Sequence, residues 1–234
     1  LGQPFDIHSG GIDHIPVHHT NEIAQSEAGE GKKMANYWLH GEFLVIDSSK
    51  MAKSDGNFIT LRTLKEKGYD PLAYRYFCLQ AHYRQQLNFT WDALSAAQNG
   101  YFGLIEDIKR LRHRSQRLAA GGVSQDIRDH ISYLQEGVDE SLSDDLLMPD
   151  VIAIVHGLVS MLNQHQSLTK DDIEYALGYI YDIDIAILGL QLKERSESDP
   201  IPKEIEVLVR EREEARLEKN WPRSDELRKE IEKR

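Results

Sequence analysis

Residues 151–162, VIAIVHGLVSML, decide the fold class, because their apolar side chains recur at spacings of three and four. That repeat is typical of an α-helix with one buried face. Pro149 and Asp150 stand directly before the stretch, and proline followed by an acidic residue is typical of a first helical turn. The stretch therefore predicts a buried helix, and its apolar stripe predicts packing against other helices.

The same spacing recurs on both sides of this helix. Patterns with a helical period are found in residues 101–111, 127–142, 173–192, 204–219 and 221–234. Residues 119–122, AAGG, and residues 196–202 contain turn formers and are the predicted linkers. The chain beyond Trp91 is thus predicted to be a helical array, and the protein is predicted to be mainly α.

Residues 1–90 have a mixed pattern. Short strands are predicted at residues 5–8 and 42–47, and the first is predicted to end in a glycine turn at Ser9, Gly10 and Gly11. Helices are predicted at residues 21–28, 61–66 and 72–80. Strands alternating with helices predict an α/β beginning in front of the helical array.

The net charge of -11 is unevenly distributed along the 234 residues. Residues 47–86 carry seven basic and four acidic side chains, whereas residues 135–199 carry three basic and fourteen acidic ones. A polyanion can therefore bind away from the acidic block. A basic run without acids between Ile108 and Gln125 marks one candidate contact to an RNA backbone. It contains Lys109, Arg110, Arg112, Arg114 and Arg117, of which the first four are the predicted tRNA-binding residues. A solvated helix face is the alternative interpretation.

The composition also limits the kind of protein. No apolar run approaches the length of a membrane span, so no membrane partner is expected. Cys78 is the single cysteine, which excludes an internal disulfide and fits a reducing cytosol. The chain starts on Leu1 and ends on a charged helical pattern, so both ends are expected to be cut from a longer protein.

Two stretches carry residue types suited to chemistry. In residues 16–28, PVHHTNEIAQSEA, His18 and Glu22 are four apart and would share a helix face, as two ligands of one metal do. A surface hydrogen bond is the alternative. In residues 50–57, KMAKSDGN, Lys50 and Lys53 can fold over a triphosphate, although taken alone this is an ordinary solvated loop.

Together these stretches resemble the class I aminoacyl-tRNA synthetases, and specifically the cysteinyl-tRNA synthetases. KMAKS resembles the signature KMSKS, with Ala52 in the middle position. DIHSGGID, residues 6–13, resembles DIHGGGxD, with Ser9 in place of a glycine, and PVHHTNEIAQSEA resembles FPHHENEIAQSEA. Residues 36–40, NYWLH, and residues 81–88, AHYRQQLN, resemble two further stretches of the family. Residues 143–145, SDD, and residues 215–227, ARLEKNWPRSDEL, are looser matches in the helical region.

The resemblance implies a domain order. Residues 1–46 would be the remnant of a Rossmann-like α/β catalytic domain, residues 47–95 the KMSKS loop and stem-contact region, and residues 96–234 a helical tRNA anticodon-binding bundle. The chain looks like the C-terminal part of such an enzyme, because it has no HIGH motif and lacks the two cysteines that complete the family's zinc site. The isolated chain is therefore expected to be inactive.

The resemblance also implies roles for single residues. His18 and Glu22 would bind Zn²⁺, Gly11, Asp13 and Lys53 would bind ATP, and Lys50 and Lys53 would act in catalysis, with Mg²⁺ accompanying ATP. Zinc prefers thiolate to hydroxyl, so the site would accept cysteine and refuse serine. The four histidines that crowd this region, His8, His14, His19 and His40, stay unassigned, with His19 the first to test.

The partners implied are tRNA(Cys), cysteine and ATP, for a monomeric cytoplasmic enzyme that joins cysteine to its tRNA. Two alternatives stay open: a related ligase that joins cysteine to an amino-sugar, and a non-catalytic helical module that binds tRNA or another RNA. A zinc hydrolase would need an HExxH-like helix, and the sequence has none.

Overall fold

Helices dominate the computed structural model, which describes residues 2–46, 49–50, 59–197, 207–208, 211–212, 215–216 and 220–232. The strands are β1 (Phe5–Gly11), β2 (Ala35–Gly41), β3 (Leu44–Ile46), β4 (Ser49–Lys50) and β5 (Leu87–Phe89). The continuous helices of at least six residues within the described ranges are α1 (Thr20–Glu30), α2 (Leu61–Glu66), α3 (Pro71–Leu79), α4 (Trp91–Ser115), α5 (Gln125–Ser143), α6 (Met148–Gln164), α7 (Lys170–Ile183), α8 (Leu192–Glu197) and α9 (Trp221–Glu232). The mainly α prediction is confirmed.

Strands β1 and β2 are parallel neighbours joined through α1. Parallel strands require such a crossover, and this one places α1 beside the sheet. The predicted glycine turn after residue 8 is wrong, because β1 continues to Gly11. Gly10 is paired with His40 and Gly11 with Gly41, so the backbone of β2 holds both glycines in an extended conformation.

A second small sheet joins the beginning of the chain to the helices. In it, β3 pairs antiparallel with β4 and parallel with β5. The strand predicted at residues 42–47 is confirmed in its central part, Leu44–Ile46. Phe89 of β5 is 2% exposed and belongs to the same hydrophobic core as the helices, so this sheet is anchored on the helical core.

The central helix is α4, which packs against α3, α6, α7 and α8. The apolar side chains predicted at helical spacing in residues 101–111 and 151–162 are buried, which confirms both stripes. Tyr101 is fully buried, and its hydroxyl donates to the carbonyl oxygen of Leu190 at 2.7 Å. A buried tyrosine needs such a partner, and this one fixes the segment after α7 onto α4.

The predicted continuous helix over residues 173–192 is wrong beyond Ile183. Helix α7 ends at Ile183, a π turn follows (Asp184–Leu188), and Gly189 has a left-handed φ of 61°. The Asp184 carboxylate accepts from the backbone N–H groups of Leu190 at 2.6 Å and Leu192 at 2.7 Å. These bonds stabilise a chain reversal, which is the physical reason why α7 does not continue.

The turn between α5 and α6 contacts the loop before β5. Asp145 and Leu146 have left-handed φ values of 55° and 60°, a conformation that aspartate tolerates better than leucine. The Asp145 carboxylate accepts from the Tyr83 hydroxyl, and from Nη1 of Arg84 at 2.8 Å. The carbonyl oxygen of Tyr83 in turn accepts from the N–H of Glu42 at 2.8 Å. We call this connection the Asp145 link.

Among the described helices, none has the length and hydropathy needed to cross a bilayer.

Candidate active site

The candidate site lies where β1 passes into α1. Between them the chain forms a 3₁₀ turn (Ile12–His14) and a π turn (Ile15–His19). Gly10 has no side chain, and a Cβ there would lie 2.6 Å from Cε1 of His19 and 2.7 Å from Nδ1 of His14. The glycine therefore allows both imidazoles to pack directly on the strand backbone.

Glu22, in the first turn of α1, is surrounded by three histidines. Its Oε2 is 2.9 Å from Nε2 of His8 and 3.9 Å from Nε2 of His19. Its Oε1 is 3.3 Å from Nε2 of His18. His8 comes from β1 and the other two from the π turn, so the carboxylate ties the strand to the start of the helix. We call Glu22, His8, His18 and His19 the Glu22 cluster.

His19 is the buried member of the Glu22 cluster, with 3% of its surface exposed. Its Nδ1 lies 2.8 Å from Nε2 of His40 on β2, and its ring contacts Trp38 at a centroid distance of 5.0 Å. Burial lowers the pKa of His19, and His40 and His8 lower it further against the opposing effect of Glu22. A neutral imidazole at neutral pH offers a lone pair to a metal or to a proton donor.

The charge of Glu22 is set by opposing effects. Burial raises the pKa of its carboxyl, but the hydrogen bond from His8 and the charges of His18, His8 and His19 bring it below the ordinary value. Glu22 is therefore ionised at neutral pH. A carboxylate among imidazoles is a donor set that zinc accepts.

The predicted ligand pair, His18 and Glu22, is in direct contact, as expected from its spacing of four residues. His18 is the exposed member, with 60% of its side chain accessible, so its ring is free to turn outward. The donor atoms of His8, His19 and Glu22 form a second possible set, lying within 4.8 Å of one another. The described residues thus fit two ligand sets, Glu22 with His18 or Glu22 with His8 and His19. The metal role of His18 stays a prediction.

The placement of His8 beside Glu22 was not predicted, because His8 lies on β1, 14 positions before Glu22, and no periodic spacing connects the two. His19 is three positions before Glu22, a spacing that a helical turn brings together. The available signal was the histidine in DIHSGGID, two residues before the glycine pair.

Two of the three predicted ATP-binding residues, Gly11 and Asp13, lie between His8 and His18 in the chain. Gly11 is the last residue of β1, and a Cβ there would come 2.5 Å from Oδ1 of Asp13. Asp13 lies in the 3₁₀ turn, so both residues stand at the carboxyl end of a parallel strand, where α/β proteins bind ligands. Lys50 is described only as a backbone position in β4, and Lys53 lies outside the described residues.

The predicted tRNA-binding residues on α4 have partners within the protein. Lys109 pairs with Glu106 at 2.9 Å, and Arg110 pairs with Asp107. Nη1 of Arg112 donates to the carbonyl of Ser196 at 2.7 Å. The guanidinium of Arg114 donates to three carbonyls at the end of α6, those of Leu162, His165 and Gln166. Arg110, with 66% of its side chain accessible, is the most open of the four.

Comparisons with known proteins give a family model and several relatives for this chain. A family model described as "tRNA synthetases class I (C) catalytic domain" matches residues 1–99. Cysteine–tRNA ligase 1 of Burkholderia lata is 42% identical over 97% of this chain and 44% of its own length. The cysteine–tRNA ligases of Protochlamydia amoebophila and Chlamydia pneumoniae are 38% and 41% identical, over 97% and 99% of this chain and 47% and 48% of their own lengths. The chain thus spans about half the length of these curated relatives.

Among solved structures, the chain resembles the LeuRS of Agrobacterium radiobacter K84 agnB2 in its ternary complex with tRNA and LeuAMS. The TM-score is 0.66, with 13% sequence identity, over 83% of this chain and 27% of that one. At this identity the likeness concerns the fold, and it agrees with a class I architecture.

Proposed function

We propose that this chain, which belongs to the cysteine–tRNA ligase family of class I synthetases, contributes half of an enzyme that activates cysteine with ATP and transfers it to tRNA(Cys). The observation that carries the proposal is the Glu22 cluster at the end of β1. It places a carboxylate and three imidazoles beside the strand end that carries Gly11 and Asp13.

His18 and Glu22 are the proposed zinc ligands in this chain. Zinc bound there would offer an open position to the thiolate of cysteine, which a serine hydroxyl fills poorly. The chain's own residues orient that site. His8 donates to Glu22, and His19 fills the space beneath through its contact with His40, so the carboxylate has a fixed orientation. Such supporting contacts are typical of metal sites.

Gly11, Asp13, Lys50 and Lys53 are the proposed ATP-handling residues. The absence of a side chain at Gly11 gives Asp13 room beside the strand end. The carboxylate of cysteine is already ionised, so the reaction requires positioned cations on the phosphates more than a general base. The lysines of KMAKS are suited to that task, with Mg²⁺ as the expected companion of ATP.

The remaining assignments also belong to this proposal. Residues 1–46 would complete the catalytic domain, residues 47–95 would carry the KMSKS loop, and residues 96–234 would bind tRNA(Cys). The full-length enzyme is proposed to act as a monomer in the cytoplasm. An aminoacylation complex needs no other partner than tRNA, cysteine and ATP.

The proposal is tested by cysteine-dependent pyrophosphate exchange on the full-length parent and on this 234-residue chain. We expect exchange by the parent and none by the chain, because the single cysteine of the chain, Cys78, is not part of the donor group of His8, His19 and Glu22. Glu22→Gln in the parent should lower exchange at least about tenfold, because loss of even a supporting contact of a metal ligand costs that much.

The matched control is Glu30→Gln, at the exposed end of the same helix, which should exchange like the parent. Full exchange by the Glu22→Gln parent, or exchange with serine in place of cysteine, would contradict the proposed function.

A further inference from the structure

We propose that the aromatic and basic cavity between α2, α4 and α9 is a stacking site for an unpaired nucleotide of the bound tRNA. The cavity has a volume of about 680 Å³ and lies away from the Glu22 cluster. It is lined by Lys65, Glu66, Lys67, Tyr69, Trp91, Arg216 and Trp221. We call it the Trp221 pocket. The inference rests on the proposed function, which makes tRNA the partner.

The inner wall of the Trp221 pocket is rigid. Trp91 stacks on Tyr69 at a centroid distance of 5.5 Å and meets Phe89 edge-on at 5.2 Å. The Tyr69 hydroxyl lies 2.7 Å from Oγ of Ser95, which holds the ring in place. An aromatic wall that is fixed before binding loses little freedom when a planar base packs on it.

The outer wall is Trp221, the first residue of α9. Its surface is 57% exposed, and among the described aromatic side chains none contacts its ring. More than half of the indole surface is thus left open by the part of the chain that the structure describes. Single-stranded nucleic acids bind on such platforms, because every base has a flat face that stacks on an aromatic ring.

The charge of the Trp221 pocket fits a phosphate. Lys65, Lys67 and Arg216 face one acidic residue, Glu66, among the described lining residues. Nζ of Lys67 lies 4.8 Å from the centre of the Trp91 ring, so a cation stands beside the aromatic wall. A net positive pocket in a chain of net charge -11 indicates an anionic ligand with a flat ring, which is the chemistry of a nucleotide.

The volume suits a small planar ligand. A cavity of about 680 Å³ falls in the range of small-molecule pockets and has room for one nucleotide. A base in a duplex cannot enter, so the ligand is a base that has left the stack, as in an RNA loop or end.

The test uses the full chain and a short uridine-rich RNA with a central 2-aminopurine, whose fluorescence falls on stacking. We expect saturable quenching by the wild type. Trp221→Ala should weaken binding by about 5- to 100-fold, the loss expected for one stacked base, whereas Trp221→Phe should retain most of the affinity. Lys67→Ala should reduce the slope of log affinity against log salt by about 0.7, the value for one phosphate contact on a single strand.

Two exposed residues elsewhere serve as controls. Tyr133→Ala removes a 71% exposed aromatic ring from α5, and Lys170→Ala removes a cation from α7. Both should bind the RNA like the wild type. The proposal is overturned if Trp221→Ala binds like the wild type, if Tyr133→Ala weakens binding as much, or if AMP displaces the RNA at equal concentration, because the pocket would then take free nucleotides.

A parallel measurement with tRNA(Cys) separates this inference from the proposed function. Binding of tRNA(Cys) that is unchanged in Trp221→Ala would overturn the Trp221 pocket and leave the ligase function intact. Loss of cysteine-dependent exchange in the parent, with RNA quenching that still requires Trp221, would overturn the ligase function and support the pocket.

Discussion

At the residue scale, single atoms of Glu22 have separate tasks. Oε2 holds His8 and lies near His19, whereas Oε1 faces the exposed His18. The contact of Oε2 with His8 on the strand therefore also fixes the direction in which Oε1 faces His18. The spacing of four residues between His18 and Glu22 therefore predicts the contact of Oε1 only, and not the contacts of Oε2 with His8 and His19.

The KMAKS loop supports a prediction about one lysine. Ala52 has no hydroxyl, so loop closure would depend on Lys50, Lys53 and backbone groups. In the full-length enzyme, Lys53→Ala should lower the adenylation rate by roughly 10² or more, the scale of losing one preorganised stabilising group, with a smaller effect on cysteine affinity. Single-turnover kinetics measures this. Ala52→Ser is the control and should be nearly neutral; a wild-type rate in Lys53→Ala would remove the phosphate role from the loop.

At the element scale, the π turn after α7 depends on one buried carboxylate. Asp184 is 2% exposed, and its two backbone donors would lose their partner in Asp184→Ala. We expect the free energy of unfolding to fall by about 3 kcal/mol, since each buried donor left without a partner costs about 1–3 kcal/mol. Urea denaturation followed by circular dichroism measures the change. Asp182→Ala, at an exposed position of α7, should be nearly neutral, and equal losses in both variants would show that the turn does not depend on Asp184.

Helices were easier to predict than strands for a physical reason. The stripes of α4 and α6 repeat within each helix, so local spacing contains the information. Strand β2, ANYWLHG, was not predicted, because its seven residues lack strict alternation and its extended conformation depends on pairing with β1. The contact of His19 with His40 depends on the same long-range pairing, because His40 lies on β2, and the contact of His8 with Glu22 joins positions 14 residues apart, so spacing alone could not predict either.

At the scale of the whole molecule, some basic side chains hold other elements in place, whereas others are exposed to solvent. Arg114 holds the end of α6 through three carbonyls, whereas Arg110 is 66% accessible and has one acidic neighbour, Asp107. Arg110→Ala should therefore weaken tRNA(Cys) binding and reduce its salt slope by about 1, at unchanged thermal stability. Filter binding over a range of salt concentrations checks this. Arg114→Ala is the counterpart and should lower the melting temperature. An unchanged salt slope in Arg110→Ala would place the RNA contact elsewhere.

The Asp145 link makes the protein sensitive to acid. The hydrogen bond from Tyr83 lowers the pKa of Asp145 below its ordinary 3.8, and Arg84 lowers it further. The folded protein thus binds this proton less tightly than the unfolded chain does. The link therefore stabilises the fold at pH values above the ordinary pKa of aspartate, and this stabilisation is lost as the pH falls through the lowered pKa of the folded state. Urea midpoints measured on the acid side should fall more steeply for the wild type than for Asp145→Asn. Because the link joins the α5–α6 turn to the loop that holds Glu42, two positions after His40, acid strong enough to protonate Asp145 should loosen the histidine-bearing strands from the helices before the helices themselves unfold.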